Sequence, residues 1–213
     1  MNKKVDIISL NKQAWIRVAN KYDKRDYGNI NPLFYYFCEN LPKGAYILDL
    51  GSGTGKPYAK LLVERGFKVL GIDISPRMVK LAQKYVPQAE FVELSMTDIE
   101  YKALFDGVFS SYTMLLLDPP LFNDVAKKIV RSLKKEGLFY LSLNEPQEEG
   151  EDVDQDVFVE IMGEKMYSRA YSKKEVLKVF SKISMELLKF HRETLMSKEF
   201  GIEHSTVYVF KKR

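Results

Sequence analysis

The sequence predicts an α/β domain built on a mostly parallel sheet, and three observations carry that reading. Short apolar runs recur at Tyr46–Leu50, Lys68–Ile72, Phe91–Ser95, Gly107–Tyr112 and Gly137–Leu143. Segments of helical periodicity lie between most of them, which calls for crossover connections and hence parallel neighbours. Glycines 51, 53 and 55 cluster where the first run ends and the first of these helices begins.

Taken in order, residues 1–41 read as a helical, aromatic-rich segment, with Trp15, Val18, Ala19 and Tyr22 at helical spacing. It loosens through Tyr27, Gly28, Asn31 and Pro32. After the first strand a helix spans Pro57 to Arg65 and is closed by Gly66. Ser75 is a natural N-cap with Pro76 behind it, and Met78, Leu81, Ala82 and Tyr85 share one face until Pro87 stops the helix. Asp118, followed by two prolines, caps another helix carrying Phe122, Val125, Ala126, Ile129 and Leu133. Beyond Asn144 the chain turns acidic, with Glu145, Glu148, Glu149, Glu151, Asp152, Asp154 and Asp156, too dense in like charge to be buried. Val157–Met162 and Lys165–Tyr171 are expected to pair across Gly163-Glu164, Ser172 to cap a helix reaching Phe180, and Met185–Phe190 with Thr206–Phe210 to close the sheet as an antiparallel pair.

Composition bounds the function. The 213 residues are enough for one core without metal or disulfide staples. The single cysteine, Cys38, cannot form an internal disulfide, so a reducing compartment, the cytoplasm, is expected. Asp6, Asn11 and Lys12 interrupt the apolar residues behind Lys3 and Lys4, so no targeting segment is expected. No apolar run approaches the roughly 20 residues of a membrane span. Lysine plus arginine number 33 against 29 acidic residues, a mixed surface that leaves nucleic acid possible and by itself names no partner. Lys127, Lys128, Arg131, Lys134 and Lys135 occupy the polar side of an amphipathic helix, and His191 and His204 have no Cys or His cluster beside them, so no metal site is expected.

The chemistry concentrates in Asp49-Leu50-Gly51-Ser52-Gly53-Thr54-Gly55-Lys56. A phosphate loop ending at Gly55-Lys56 would need glycine at position 50 and Ser or Thr at 57, where Leu50 and Pro57 stand. A dinucleotide turn starting at Gly51 would need glycine at 56, where Lys56 stands, and the Asp49 carboxylate would repel a pyrophosphate while welcoming an ammonium group.

Asp-Leu-Gly-Ser-Gly-Thr-Gly after a strand resembles the first motif of the class I S-adenosylmethionine-dependent methyltransferases. Further segments are similar to later motifs of that family: Asp73 ending the next strand, Ser95-Met96-Thr97-Asp98 after the third, Phe105–Tyr112 along the fourth, and Leu133–Phe139 before the fifth. The resemblance spans about Trp15 to Leu143. It implies a Rossmann-like, doubly wound, mostly parallel seven-stranded sheet with an antiparallel closing strand, and S-adenosyl-L-methionine as cofactor. It implies that Gly51 and Gly53 lie against the cofactor's amino-acid part, Asp73 holds its ribose, and Ile74, Met78 and Asp98 meet its adenine, with Asp49, Ser52, Thr54, Gly55, Thr97, Ser110, Tyr22 and Tyr27 also at the site. Tyr112 and Tyr22 are the candidates for a catalytic base.

One methyltransferase domain is therefore expected over 1–213: an N-terminal helical cap (1–41), a cofactor-binding core (42–143), an acidic loop and hairpin lid (144–171) and a closing helix and strands (172–213). A small-molecule acceptor is favoured, with RNA, protein and a NAD(P)-dependent oxidoreductase as alternatives; no oligomeric state is assigned. The carboxylates of the acidic stretch are expected to repel phosphodiesters from the acceptor mouth.

Overall fold

A computed structural model describes residues 5–25, 28–146, 158–197 and 201–213. Its helices are α1 (Ile7–Tyr22), α2 (Pro32–Glu39), α3 (Tyr58–Glu64), α4 (Pro76–Tyr85), α5 (Pro119–Ser132) and α6 (Lys173–Ser181). The strands are β1 (Tyr46–Leu50), β2 (Lys68–Asp73), β3 (Glu90–Glu93), β4 (Phe105–Ser111), β5 (Leu133–Asn144), β6 (Phe158–Ile161), β7 (Glu164–Tyr167), β8 (Met185–Ser197) and β9 (Gly201–Lys212).

Seven strands form one sheet in the order β3-β2-β1-β4-β5-β9-β8, and β6 pairs with β7 separately. Pairing is parallel from β3 through β5, and β9 runs antiparallel to both of its neighbours. The α/β fold with an antiparallel closing strand is the expected one. Alternation along β1 buries Leu48 and Leu50 against α5 and α6, and Ile47 against α2, α3 and α4, so both faces of the sheet are covered. The order reverses between β1 and β4, which opens a crevice at the carboxyl ends of those strands.

Four local expectations change. Asn31 and Pro32, expected in a loose stretch, start α2: the Asn31 side chain accepts from the Leu33 amide at 2.9 Å and Pro32 fills the first turn, where its missing N–H costs nothing. β5 begins at Leu133, before the expected Gly137, because Leu133 pairs with Phe105 ahead of a register shift. The β6–β7 turn is Met162-Gly163, with φ values of 55° and 88° that suit the tight hairpin geometry. The closing hairpin is much longer than expected, since β8 continues through His191–Ser197 and β9 starts at Gly201.

α1 and the β6–β7 hairpin form a satellite layer over the crevice. Asn11 imitates a strand: its carboxamide accepts from the Tyr167 amide at 2.8 Å and donates to the Tyr167 carbonyl at 3.1 Å. Ala14 and Val18 pack on Met166, and Arg17 pairs with Glu164 at 2.8 Å. Among the described residues, no helix is long and apolar enough to cross a membrane.

Candidate active site

The turn from β1 into α3 is shaped by what surrounds it. Gly51 has φ +67°, and a Cβ there would lie 2.1 Å from Thr113 Cγ2, so the position admits only glycine. Gly53, at φ +53°, turns its amide to Asp73 Oδ2 at 2.9 Å, while the Ser75 amide donates to Asp73 Oδ1 at 2.8 Å. Asp73 thus ties the glycine turn to the start of α4. Gly55 packs on Val86, Phe91 and Ala82.

The crevice is a cavity of about 1610 Å³ lined by residues from both halves of the chain. Of the residues implied by the sequence, Asp49, Gly51, Ser52, Gly53, Asp73, Ile74, Met78, Tyr22 and Tyr112 line it. Five do not. Thr54 is fully buried beneath the turn and Gly55 faces the β3 and α4 side chains. Ser110 points into the opposite face of the sheet, because strand alternation gives Phe109 and Ser111 to the cavity. Thr97 and Asp98 turn away: Asp98 is exposed and accepts from Thr97 Oγ1 at 3.1 Å, while Ser95 and Met96 take the lining positions. Tyr27 lies outside the described residues, as do Glu148, Glu149, Glu151, Asp152, Asp154 and Asp156 of the acidic stretch.

The electrostatic centre is a pair of carboxylates at the ends of neighbouring strands. Asp49 is 3% exposed, and burial together with the nearby Asp73 pushes its pKa up to about 7. Burial raises Asp73 to about 6, against the two backbone hydrogen bonds that lower it. No cation among the described residues offsets either charge. Such a pair favours a ligand that brings positive charge or hydroxyl donors.

α1 covers this half of the cavity. Trp15 and Tyr22 meet edge to face with centroids 5.2 Å apart, and the Arg25 guanidinium lies 3.8 Å over the Tyr22 ring. Lys56 holds the cover down: its ammonium is 2.8 Å from Asp23 Oδ1, beyond the end of α1, and the Tyr85 hydroxyl donates to Asp23 Oδ2 at 2.6 Å.

The other half contains residues that sequence reasoning missed. Tyr58, Phe109 and Tyr140 form an aromatic wall, with Phe109 and Tyr140 stacked at 4.3 Å and Tyr58 at 4.8 Å from Phe109. The overlong β8–β9 hairpin contributes Glu193, Thr194, Glu203 and His204. Glu145, from the acidic stretch, pairs with Arg192 at 2.8 Å. The one available signal for the hairpin was the alternation from His191 to Glu203, whose apolar members are few. No group of three or more His, Cys, Asp or Glu residues suited to a metal ion occurs among the described residues.

Known proteins match this architecture. Residues 47–137 match the family described as "Methyltransferase domain". YqeM of Bacillus subtilis (strain 168), a candidate methyltransferase, is 33% identical over 112 residues, 49% of this chain and 44% of that protein. The carboxy-S-adenosyl-L-methionine synthase of Campylobacter concisus (strain 13826) is 34% identical over 107 residues, 48% of this chain and 45% of that protein. The matched region is thus less than half the length of these relatives.

Among solved structures, the 1,6-didemethyltoxoflavin-N1-methyltransferase of Burkholderia thailandensis superposes with a TM-score of 0.76 at 17% identity, covering 100% of this chain and 93% of that one. The [4+2]-cyclase SpnF superposes with a TM-score of 0.77 at 15% identity, covering 100% and 99%. At such identities the superpositions establish the fold alone. The glycine turn and the acidic strand ends lie within residues 47–137, the segment that matches the methyltransferase domain family.

Proposed function

We propose that the protein is an S-adenosylmethionine-dependent methyltransferase acting on a small-molecule acceptor. The observation that carries the reading is the buried pair Asp49 and Asp73, held at the crevice with no cation among the described residues to offset it. The cofactor fits that donor set: it brings an ammonium group and a sulfonium for Asp49 to face, and ribose hydroxyls for the remaining lone pairs of Asp73. Ile74, Met78 and Met96 offer apolar contact for the adenine, beside Ser95. Bound there, S-adenosylmethionine supplies a methyl group already activated for in-line displacement.

The chain's own part is orientation and exclusion of water. Asp73 fixes the turn through the Gly53 and Ser75 amides, and α1 with the β6–β7 hairpin roofs the crevice. Holding acceptor and methyl group in line contributes on the order of 7–11 kcal/mol in favourable cases. Division of labour follows the chain: a cap over 1–41, a cofactor core over 42–143, acceptor-side cover from the β6–β7 hairpin within 144–171, and a closing helix and strands over 172–213.

The β6–β7 and β8–β9 hairpins, whose residues line the cavity, support a small molecule over a polymer. The Burkholderia thailandensis neighbour, solved with bound 1,6-didemethyltoxoflavin and S-adenosylhomocysteine, supports the same choice. The buried Cys38, with no disulfide, agrees with a cytoplasmic setting.

Calorimetry with S-adenosylhomocysteine tests the reading. Binding is expected to be at least about a hundredfold tighter than that of NADH, a gap near 2.7 kcal/mol. Comparable affinities for the two, or no transfer of labelled methyl groups to any panel of small acceptors, would refute it.

A further inference from the structure

We infer that Tyr112, Ser205 and Glu193 form a proton exit from the acceptor, so that the group methylated is a hydroxyl on a planar, non-anionic small molecule. The inference rests on the methyltransferase reading above.

Tyr112 leaves β4 with φ 52°, a left-handed conformation that costs an aromatic residue about 1–3 kcal/mol. Contacts at both ends of the residue hold it there. Its amide donates to the Ser142 carbonyl at 3.2 Å and lies 3.1 Å from Ser142 Oγ, and its phenol donates to Ser205 Oγ at 3.0 Å. The ring so placed lines the acceptor half of the cavity.

Ser205 is fully buried on β9, directly across the ladder from Glu193 on β8. Its Oγ lies 3.5 Å from Glu193 Oε1, and Glu193 also lines the cavity. The hydrogen bonds run one way, from phenol to hydroxyl to carboxylate. Each hydroxyl directs its hydrogen towards Glu193, which leaves a lone pair on Tyr112 Oη to accept from a donor in the cavity. Burial pushes the Tyr112 phenol well above its ordinary range, so it stays neutral and passes a proton on instead of keeping a negative charge.

The surroundings select the donor. The stacked rings of Phe109 and Tyr140, with Tyr58 beside them, suit a flat molecule. The Tyr140 hydroxyl is buried, with the Tyr58 hydroxyl as its neighbour. It is a polar atom that a polar ring substituent would satisfy. Glu193 and Glu203 on the hairpin disfavour an anion. Amines and thiolates attack with a lone pair already free, whereas a hydroxyl needs a base, and a relay ending on a carboxylate provides one.

The step balances as follows. The acceptor oxygen forms a bond to the methyl carbon while the carbon–sulfur bond breaks, its electron pair staying on sulfur. The acceptor proton moves to Tyr112 Oη, the Tyr112 proton to Ser205 Oγ and the Ser205 proton to Glu193 Oε1, leaving all three side chains neutral.

The test compares 4-methylphenol, whose hydroxyl stays protonated at neutral pH, with 4-methylaniline, a neutral amine whose lone pair is already free. Glu193→Gln should lower kcat/KM for the phenol about a hundredfold and leave the amine within about threefold. Ser205→Ala and Tyr112→Phe should follow the same split, and Glu193→Asp should restore part of the phenol activity. S-adenosylhomocysteine affinity should be the same in all four variants. A readout without turnover is calorimetric binding of 4-methylphenol to the S-adenosylhomocysteine complex, which Tyr112→Phe should weaken about 2- to 10-fold. Equal losses on both acceptors, an undiminished phenol rate in Glu193→Gln, or unchanged phenol binding in Tyr112→Phe overturns the relay. A wild-type protein that binds S-adenosylhomocysteine yet leaves the phenol unmethylated overturns the hydroxyl assignment. Failure to bind S-adenosylhomocysteine at all sinks the methyltransferase reading itself.

Discussion

The two halves of the cavity are built on opposite plans. The cofactor half is local: Asp49, Gly51, Gly53, Asp73 and Met78 come from one strand–turn–helix–strand–helix unit, and the Gly53 and Ser75 amides bond the same Asp73 carboxylate. The acceptor half is assembled at long range, with Tyr58 from α3, Tyr112 after β4, Tyr140 from β5 and Glu193 and Glu203 from the β8–β9 hairpin. A site held by its own backbone is pre-organised and tolerates little change. One assembled from separate elements can be altered without disturbing the first. A cyclase and a methyltransferase among the fold neighbours fit that division, since the frame is shared and the reactions differ.

Gly51→Ala breaks the local half most severely. The new Cβ meets the branched, poorly yielding Thr113 side chain and the backbone is held at φ +67°. Overpacking and conformational strain together should cost about 2–5 kcal/mol of stability, read from urea unfolding. Thr194→Ala on the exposed hairpin should stay within about 0.5 kcal/mol. Equal losses at the two positions would erase the distinction.

Asp73→Ala should weaken S-adenosylhomocysteine binding by about 1.5–3 kcal/mol, because charge-assisted hydrogen bonds to hydroxyls disappear. Glu203→Gln, across the cavity, should leave that affinity unchanged within a factor of about two. Calorimetry on both variants measures the contrast, and a matching loss in Glu203→Gln would mean that the halves are not separable.

This asymmetry also governs what the sequence makes legible. The β1 strand, the glycine turn and Asp73 are neighbours in sequence and in space, so the motifs that carry the family resemblance reach them together. Ser95 and Met96 displace Thr97 and Asp98 because a short 3-10 turn, capped by Ser95, rotates the last two outward. Ser110 and Ser111 are adjacent serines on β4, and only the strand's phase tells which one faces the cavity. The hairpin tip is harder to read: His191, Arg192, Glu193, Thr194, Glu203 and His204 bury little apolar surface, and their place depends on register with β5 and β9 set far along the chain. Tyr58 and Tyr140 read as ordinary core aromatics, which in part they are.

Asn11 joins the cap to the rest, and its removal tests whether the cover is separable too. Asn11→Ala leaves the Tyr167 amide and carbonyl without their partners at 2.8 and 3.1 Å, a loss of about 1–3 kcal/mol. Faster hydrogen exchange confined to α1 and the β6–β7 hairpin is expected, with protection in β1 and β4 unchanged. Uniform deprotection across the sheet would instead show that cap and core unfold together.

Asp49 carries the finest contrast, because the same buried charge acts with opposite signs on stability and on binding. Its pKa is about 7 in the folded chain, against an ordinary aspartate value of 3.8. Between about pH 4 and 7 the native protein therefore holds a proton that the unfolded chain has released. Stability of the unliganded protein falls as pH rises through this window and levels off above about 7. Asp73, raised to about 6, adds to the slope in the lower part of the window. Asp49→Asn removes the larger contribution, so the variant should melt a few degrees higher than wild type at pH 7.5, at about 2–4 °C per kcal/mol for a chain of this size. Binding runs the other way. The cationic cofactor favours the ionised carboxylate, so wild-type affinity for S-adenosylmethionine should strengthen from pH 5.5 to 7.5, while the variant binds more weakly and with a flatter profile. Scanning calorimetry and titration over that pH range measure both. A variant less stable than wild type at pH 7.5, or one that keeps the full pH dependence of binding, would show that Asp49 is not the charge through which the cofactor half recognises its ligand.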